Sequence, residues 1–259
     1  MLKLETFEKL THVIEQLITS EGENLLSIIL VGSEARRDSD EYSDYDLVCV
    51  YETLRNPLFH EGTHLIKEKV FGFRNIPISF LEKKAFTQVQ KHAYKHSKIL
   101  YDSQGKLQEL LKRKCVFEKK ERLNLFCNYL VKLSYTYDVT NNYKNCWNSC
   151  DELKKSIARR RKIYTDVEKL HFLKYSIYLE FLVKKEFIPP DKVLFSSWSD
   201  KISPKIVELK KLYESFDDPE LFAKESSYII QSIIEEFEKE EPLPEDIYQY
   251  RIKVTRQYD

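Results

Sequence analysis

Asp44 and Asp46 stand one residue apart in the run LVGSEARRDSDEYSDYDLVCVY, ten residues after the pair Gly32-Ser33. On a strand, side chains alternate with a period of two, so the two carboxylates share a face. Paired carboxylates on one face can hold a divalent metal. Upstream, residues 26–31 read as a buried strand, and Gly32-Ser33 then turns the chain into Glu34-Ala35-Arg36-Arg37. Free backbone N–H groups and a hydroxyl at such a turn can meet a phosphate. A metal site and a phosphate site therefore share one edge. Asp38, Asp40 and Glu41 fall in the polar connection between the two, where acids ordinarily solvate a loop.

Gly-Ser, Ala35-Arg36 and Ser43-Asp44-Tyr45-Asp46 between two apolar strands form a pattern that resembles the polymerase-β-like nucleotidyltransferase superfamily. In the fuller form GSEAR…SDYDLV it resembles the minimal and antibiotic-modifying branches, among them enzymes that act on aminoglycosides and lincosamides. The close match covers residues 26–51, with looser likeness to about residue 115. The resemblance implies Mg2+-dependent transfer of a nucleoside monophosphate, AMP from ATP being expected, to a hydroxyl of a small-molecule acceptor. It implies that Gly32 and Ser33 hold the triphosphate, that Arg36 lies near its outer phosphates, and that Asp44 and Asp46 bind the metal. Lys192, after Phe187-Ile188-Pro189-Pro190, resembles a Pro-x-Lys corner in related helical lobes that faces the triphosphate.

One departure stands out. The family places a third carboxylate on the next strand, in an apolar-acid-apolar run, and the corresponding run here is residues 76–81, IPISFL, with no acid. Glu82 follows it and Glu68 sits on the preceding alternating segment, and both also read as ordinary surface acids. The general base then comes from elsewhere, or the chain binds nucleotide with little turnover, since much of phosphoryl-type catalysis is positioning and charge stabilisation.

The elements that must position these groups are legible from periodicity. With 259 residues, 42% of them apolar, and only 5 glycines and 8 prolines, the chain has material for cores and few flexible linkers. An α+β organisation is expected: a small mixed sheet flanked by helices in residues 1–116, then a helical bundle in residues 117–259. A first amphipathic helix runs from Leu4 to near Glu21, and strands are expected at 65–73 and 76–81 with a turn near Arg74-Asn75. A helix at 83–97 and a short strand at 99–101 follow. Four long helical segments are expected at 118–137, 146–163, 167–185 and 219–239. The acceptor would bind between the two parts, as the resemblance implies.

Lys+Arg and Asp+Glu both number 42, so no global basic field favours a polyanion and nucleic acid is disfavoured as a substrate. No basic leader with an apolar core and no membrane-length apolar run is present in the sequence, so it reads as cytoplasmic. Cys49, Cys115, Cys127, Cys146 and Cys150 suit reduced thiols better than a disulfide framework. Other polar groups have a functional and an ordinary reading side by side. In the cluster Asp151, Glu152, Lys154 and Lys155 a carboxylate can supply the missing base, or the cluster forms a solvated helix face, and Arg159-Arg160-Arg161 can clamp phosphate or stand in water. His92 and His96, four apart, make a metal pair or a wet helix face, and Tyr42 and Tyr45 stack on a base or pack a core. Three functions remain: small-molecule nucleotidyl transfer, the same chemistry on a protein acceptor as in toxin–antitoxin pairs, and a nucleotide-binding module.

Overall fold

The stretch LLSIILV has no polar face apart from Ser27, and a strand of that kind has to be covered on both sides. In the computed structural model, which describes residues 2–145, 151–217, 219–248 and 250, it is strand β1, Leu25–Val31, buried along nearly its whole length. The chain divides into two units, Met1–Val116 and Phe117–Asp259. The architecture is α+β, with a mixed sheet in the first unit and helices in the second.

The first unit opens with helix α1, Leu2–Glu21, and a short 3-10 turn before β1. Helix α2, Gly32–Arg36, follows directly, then strand β2, Tyr45–Tyr51. Strands β3, Gly62–Ile66, and β4, Lys69–Pro77, precede helices α3, Ile78–Lys83, and α4, Gln88–Lys95. Strand β5, Lys98–Asp102, and helix α5, Leu107–Lys114, complete it. The five-stranded sheet has the order β3-β4-β2-β1-β5, with β2 and β4 parallel and the other neighbours antiparallel. One face packs Ile28, Leu30, Leu47, Cys49, Phe71 and Phe73 against Leu10, Val13 and Leu17 of α1. The other packs Ile29, Val48, Val50 and Ile76 against Leu81, Tyr94 and the leucines of α5.

Two expectations are corrected here. The turn lies at Lys67-Glu68, between the registered pair Ile66 and Lys69, and not near Arg74-Asn75. Both central residues have positive φ, 48° and 64°, the geometry of a two-residue hairpin whose twist matches its strands. Neither is a usual turn residue, and that hid the turn. Arg74 and Asn75 instead lie inside β4, where the buried Asn75 amide donates to the Phe59 carbonyl at 2.7 Å. Residues 78–83 are helical, not strand, because Pro77 has no N–H to continue the ladder and its extended backbone begins α3.

The described residues of the second unit form helices joined by turns and short irregular segments, with no strand among them. Helix α6 spans Lys119–Asn145 and helix α7 Asp151–Val183. Two expected helices, 146–163 and 167–185, thus share one element from Asp151 onward: the cap-forming types Thr165 and Asp166 sit inside it, and no glycine or proline interrupts it. Residues 146–150 lie outside the described residues. Helices α8, Asp191–Leu194, α9, Ser197–Asp200, α10, Pro204–Ser215, and α11, Pro219–Glu238, follow. Helix α10 was not anticipated, although Ser203-Pro204 is a helix-start signal and the Ser203 hydroxyl accepts from the Lys205 N–H. Residues 176–183 of α7 are buried all round, as a helix in the middle of a bundle must be. Buried Arg122, in the first turn of α6, donates to Glu241 at 2.6 Å and to Glu240 at 2.8 Å, with its guanidinium 5.0 Å from the Phe237 ring centre. No helix among the described residues is long and apolar enough to cross a membrane.

Candidate functional site

The site grows from the end of β1. Val31 pairs with Asp46 of β2, and Asp46 pairs in turn with Gly72 of β4, so the Asp46 backbone is held on both sides within the sheet. Its side chain lies on the face of Val48 and Val50. Two glycines then make room for it. A Cβ on Gly32 would stand 2.5 Å from Asp46 Oδ2, and one on Gly72 would stand 2.8 Å from Oδ1. Any other residue at either position would collide with the carboxylate. Gly32 also has φ +78°, which lets the chain leave β1 and enter α2 at once. Asp46 opens on a pocket of about 410 Å³, whose lining includes Glu61, Arg74, Gln90 and Tyr94.

Asp44 is the last loop residue before β2, partly exposed, and makes no ion pair or hydrogen bond among the described residues. The acids of the preceding loop do more than solvate it. Asp38 holds Arg36, Oδ1 to Nε at 3.3 Å, with both side chains largely buried. Its N–H also donates to the Ser33 carbonyl at 3.1 Å. Asp40 accepts from the Tyr42 N–H and the Ser43 hydroxyl, and the hydroxyl bond holds its carboxyl below the usual range. Arg36 therefore braces the loop between the Gly32-Ser33 turn and β2. Ser33 is partly exposed beside Gly32 at the start of α2, a helix of only five residues.

The remaining candidates separate. Tyr45 is buried and stacked on Phe71 with ring centres 5.2 Å apart, and burial pushes its hydroxyl up to about 12. It is core, whereas Tyr42 is 86% exposed. His92 and His96 lie with ring centres 4.8 Å apart, but His92 is buried at 1% exposure, so the wet face expected for the pair is not what α4 presents there. Among the described residues no group of three or more His, Cys, Asp or Glu side chains is placed to hold a metal. Glu68 sits in the β3–β4 turn and Glu82 is exposed on α3. Lys192 is exposed on α8 in the second unit, next to Asp191, which Lys174 holds at 2.7 Å and Tyr178 at 3.1 Å. The Asp151, Glu152, Lys154, Lys155 and Arg159–161 side chains lie outside the described residues, as do Cys146, Trp147 and Cys150.

Gly72, Arg74 and Glu61 are the site residues that sequence reasoning missed. A lone glycine inside the alternation KVFGFR is a signal of close approach, and it was there to be read. Glu61 precedes β3 in an irregular loop and carries no such signal.

No protein-family model and no curated protein matches this sequence. Among solved structures, one that it resembles is a nucleotidyltransferase-like protein from Exiguobacterium sibiricum 255-15. The two are 17% identical, the alignment covers 95% of this chain and 81% of that one, and the TM-score is 0.46. At that distance the chemistry has to come from the residues themselves.

Proposed function

We propose that this chain is a Mg2+-dependent nucleotidyltransferase that moves a nucleoside monophosphate, AMP from ATP in the first instance, to an oxygen of a small-molecule acceptor. One observation carries the reading: the Asp46 carboxylate is seated between two glycines, immediately beside the Gly32-Ser33 turn and facing a pocket. A carboxylate that served only solubility would not need two neighbours stripped of their side chains. Asp44 and Asp46 fit Mg2+, which is commonly held by one or two carboxylates and completes its shell with water and substrate phosphates. When bound, the ion neutralises charge on the triphosphate and on the departing pyrophosphate.

The chain's own residues then have distinct tasks. Asp46 is a rigid ligand fixed by the sheet, and Asp44 is a second ligand carried at the end of a loop that Arg36, Asp38 and Asp40 brace. Gly32 and Ser33 offer N–H groups and a hydroxyl to the phosphates. The resemblance points to an oxygen nucleophile on the acceptor, and hydroxylated compounds, antibiotics among them, are the reference class against which other oxygen acceptors are compared. A second reading, nucleotide binding with little turnover, draws on the lack of any acid on β4 facing the Asp46 side. Titrating ATP with and without Mg2+ into wild type, Asp44→Asn and Asp46→Asn tests the site, and pyrophosphate release separates the two readings. Loss of metal-dependent affinity in both variants is expected. Equal, metal-independent affinity in all three proteins would overturn the proposal.

A further inference from the structure

The inference rests on the nucleotidyl-transfer reading above and concerns what the second substrate must carry. A neutral hydroxyl acceptor calls for a base near the metal-facing carboxylates. The adjacent strand is where the sheet would offer one, since β4 runs parallel to β2 with Asp46 beside Gly72 and Val48 beside Arg74. Gly72, Arg74 and Ile76 share the Asp46 face because register partners in a parallel pair stay on one side of the sheet. None of the three is an acid. One step along β4 from Gly72 stands a guanidinium, which keeps its charge and cannot accept a proton.

Arg74 lines the same pocket as Asp46 and is exposed. Among the described residues it makes no ion pair or hydrogen bond, and its guanidinium carbon lies 5.9 Å from the Phe80 ring centre. An aromatic support of that kind steadies a guanidinium while its N–H edges remain open to a partner. Glu61 lines the pocket as well and immediately precedes Gly62, whose register partner is Phe73, yet Glu61 and Arg74 do not form an ion pair. The cation is not neutralised by its neighbour.

We infer that the acceptor brings its own anion: Arg74 binds a phosphate monoester, and an oxygen of that phosphate is the nucleophile. A phosphate monoester is largely dianionic at neutral pH, so no proton has to be removed and the base missing from β4 is not needed. The attacking oxygen forms a bond to the α-phosphorus, the bridging bond between α-phosphorus and β-phosphate breaks, and its electron pair leaves with pyrophosphate. One phosphoanhydride is broken and one is made. A guanidinium fork matches phosphate oxygens in pairs, whereas beside a neutral hydroxyl it would have no charge to meet.

The test uses the full chain in wild type, Arg74→Gln, and Arg113→Gln on the exposed surface of α5 as a charge-matched control. Binding of α,β-methylene-ATP with Mg2+ is measured first, since its absence sinks the nucleotidyl-transfer reading and not the assignment of Arg74. Inorganic phosphate is then titrated by calorimetry, with the nucleotide site filled where it binds and on the free protein where it does not. Phosphate affinity is expected to fall about tenfold or more in Arg74→Gln and to stay at the wild-type level in Arg113→Gln. Phosphate that does not bind at millimolar concentration, or binds Arg74→Gln as tightly as wild type, overturns the inference. So does loss of nucleotide affinity in Arg74→Gln with phosphate affinity retained, which would give Arg74 to the triphosphate. In turnover, a panel of phosphate monoesters should release pyrophosphate faster than the parent alcohols, and faster release by the alcohols overturns it too.

Discussion

Replacing Gly72 with alanine isolates the seat of Asp46 from every other feature of the site. The new Cβ would stand 2.8 Å from Asp46 Oδ1, with the carboxyl carbon at 3.9 Å and no other atom in contact. It therefore meets the carboxylate alone, about 0.6 Å inside ordinary contact, and either the strand or the carboxylate must move. Gly72 does not have the positive φ of Gly32, so alanine carries no backbone penalty there. In a strand, exchanging Gly for Ala should by itself stabilise by roughly 0.5–1 kcal/mol. Overpacking against Asp46 should reverse the sign and cost about 1–3 kcal/mol. In an Asp46→Ala background the obstacle is gone and alanine at 72 should become stabilising, a coupling of about 2 kcal/mol. Hydrogen exchange of the β2 amides is the suitable assay, since both tryptophans, Trp147 and Trp198, lie in the second unit and fluorescence would not report on the sheet. In parallel, ATP affinity in Mg2+ should drop by about tenfold or more in Gly72→Ala, as a displacement approaching 1 Å at a preorganised group is expensive. If Gly72→Ala has the same effect on stability with and without the Asp46 carboxylate, the glycine seat is not what holds that side chain.

Arg122→Ala leaves Glu241 buried without its partner and should destabilise the helical unit by about 3–5 kcal/mol, whereas Arg122→Met with Glu241→Gln should recover most of it; denaturation followed by Trp198 fluorescence measures both. Burial raises the carboxyl of Glu180, opposed by Ser203, Lys205 and Lys184. A group whose folded pKa lies above its unfolded value takes up a proton on folding, so its stabilising contribution is present at low pH and is lost as pH rises through the carboxylate range. Glu180→Gln should therefore gain on wild type as pH rises from about 4 to about 7, and a gap that narrows would refute the assignment. Burial pushes the Cys49 thiol up to about 12 and Cys127 to about 11, and Cys49 has no exposed surface. Alkylation near neutral pH should leave Cys49 unmodified until denaturant is added, as mass spectrometry of the digested protein can show.

The parts of this fold that the sequence made legible are those in which one physical rule acts alone. The apolar run of β1 and the Gly-Ser turn that follows it are local patterns, and the structure shows β1 and β2 side by side in register, whereas Asp44, expected on a strand with Asp46, falls in the loop just before β2. Where rules compete, the reading slipped. Lys67 and Glu68 take up left-handed backbone because the flanking strands pair, a tertiary demand that overrides residue preference. IPISFL has strand-like composition, and one missing N–H at Pro77 decides against it. Gly72 carries a local signal of close approach, but what it approaches, and the place of Arg74 beside it, depend on which strand lies next to β2. A shift of one strand in the expected order moved attention to residues 76–81 and away from β4.

The buried pairing of Arg122 with Glu241 joins residues 119 apart in the chain. Closing a loop of that size costs roughly 4 kcal/mol of chain entropy before any contact rewards it, so the helical unit acquires this buried charge contact late. The sheet of the first unit needs no such wait, because β5, its last strand in sequence, ends at Asp102. On the ribosome, where domains fold as units in order of synthesis, the sheet carrying Asp46 can be complete while Arg122 still awaits its counter-ion. The order of synthesis thus runs from the candidate chemistry to the bundle, and a chain stalled before residue 240 would carry a finished sheet while the buried Arg122 lacks both of its carboxylates.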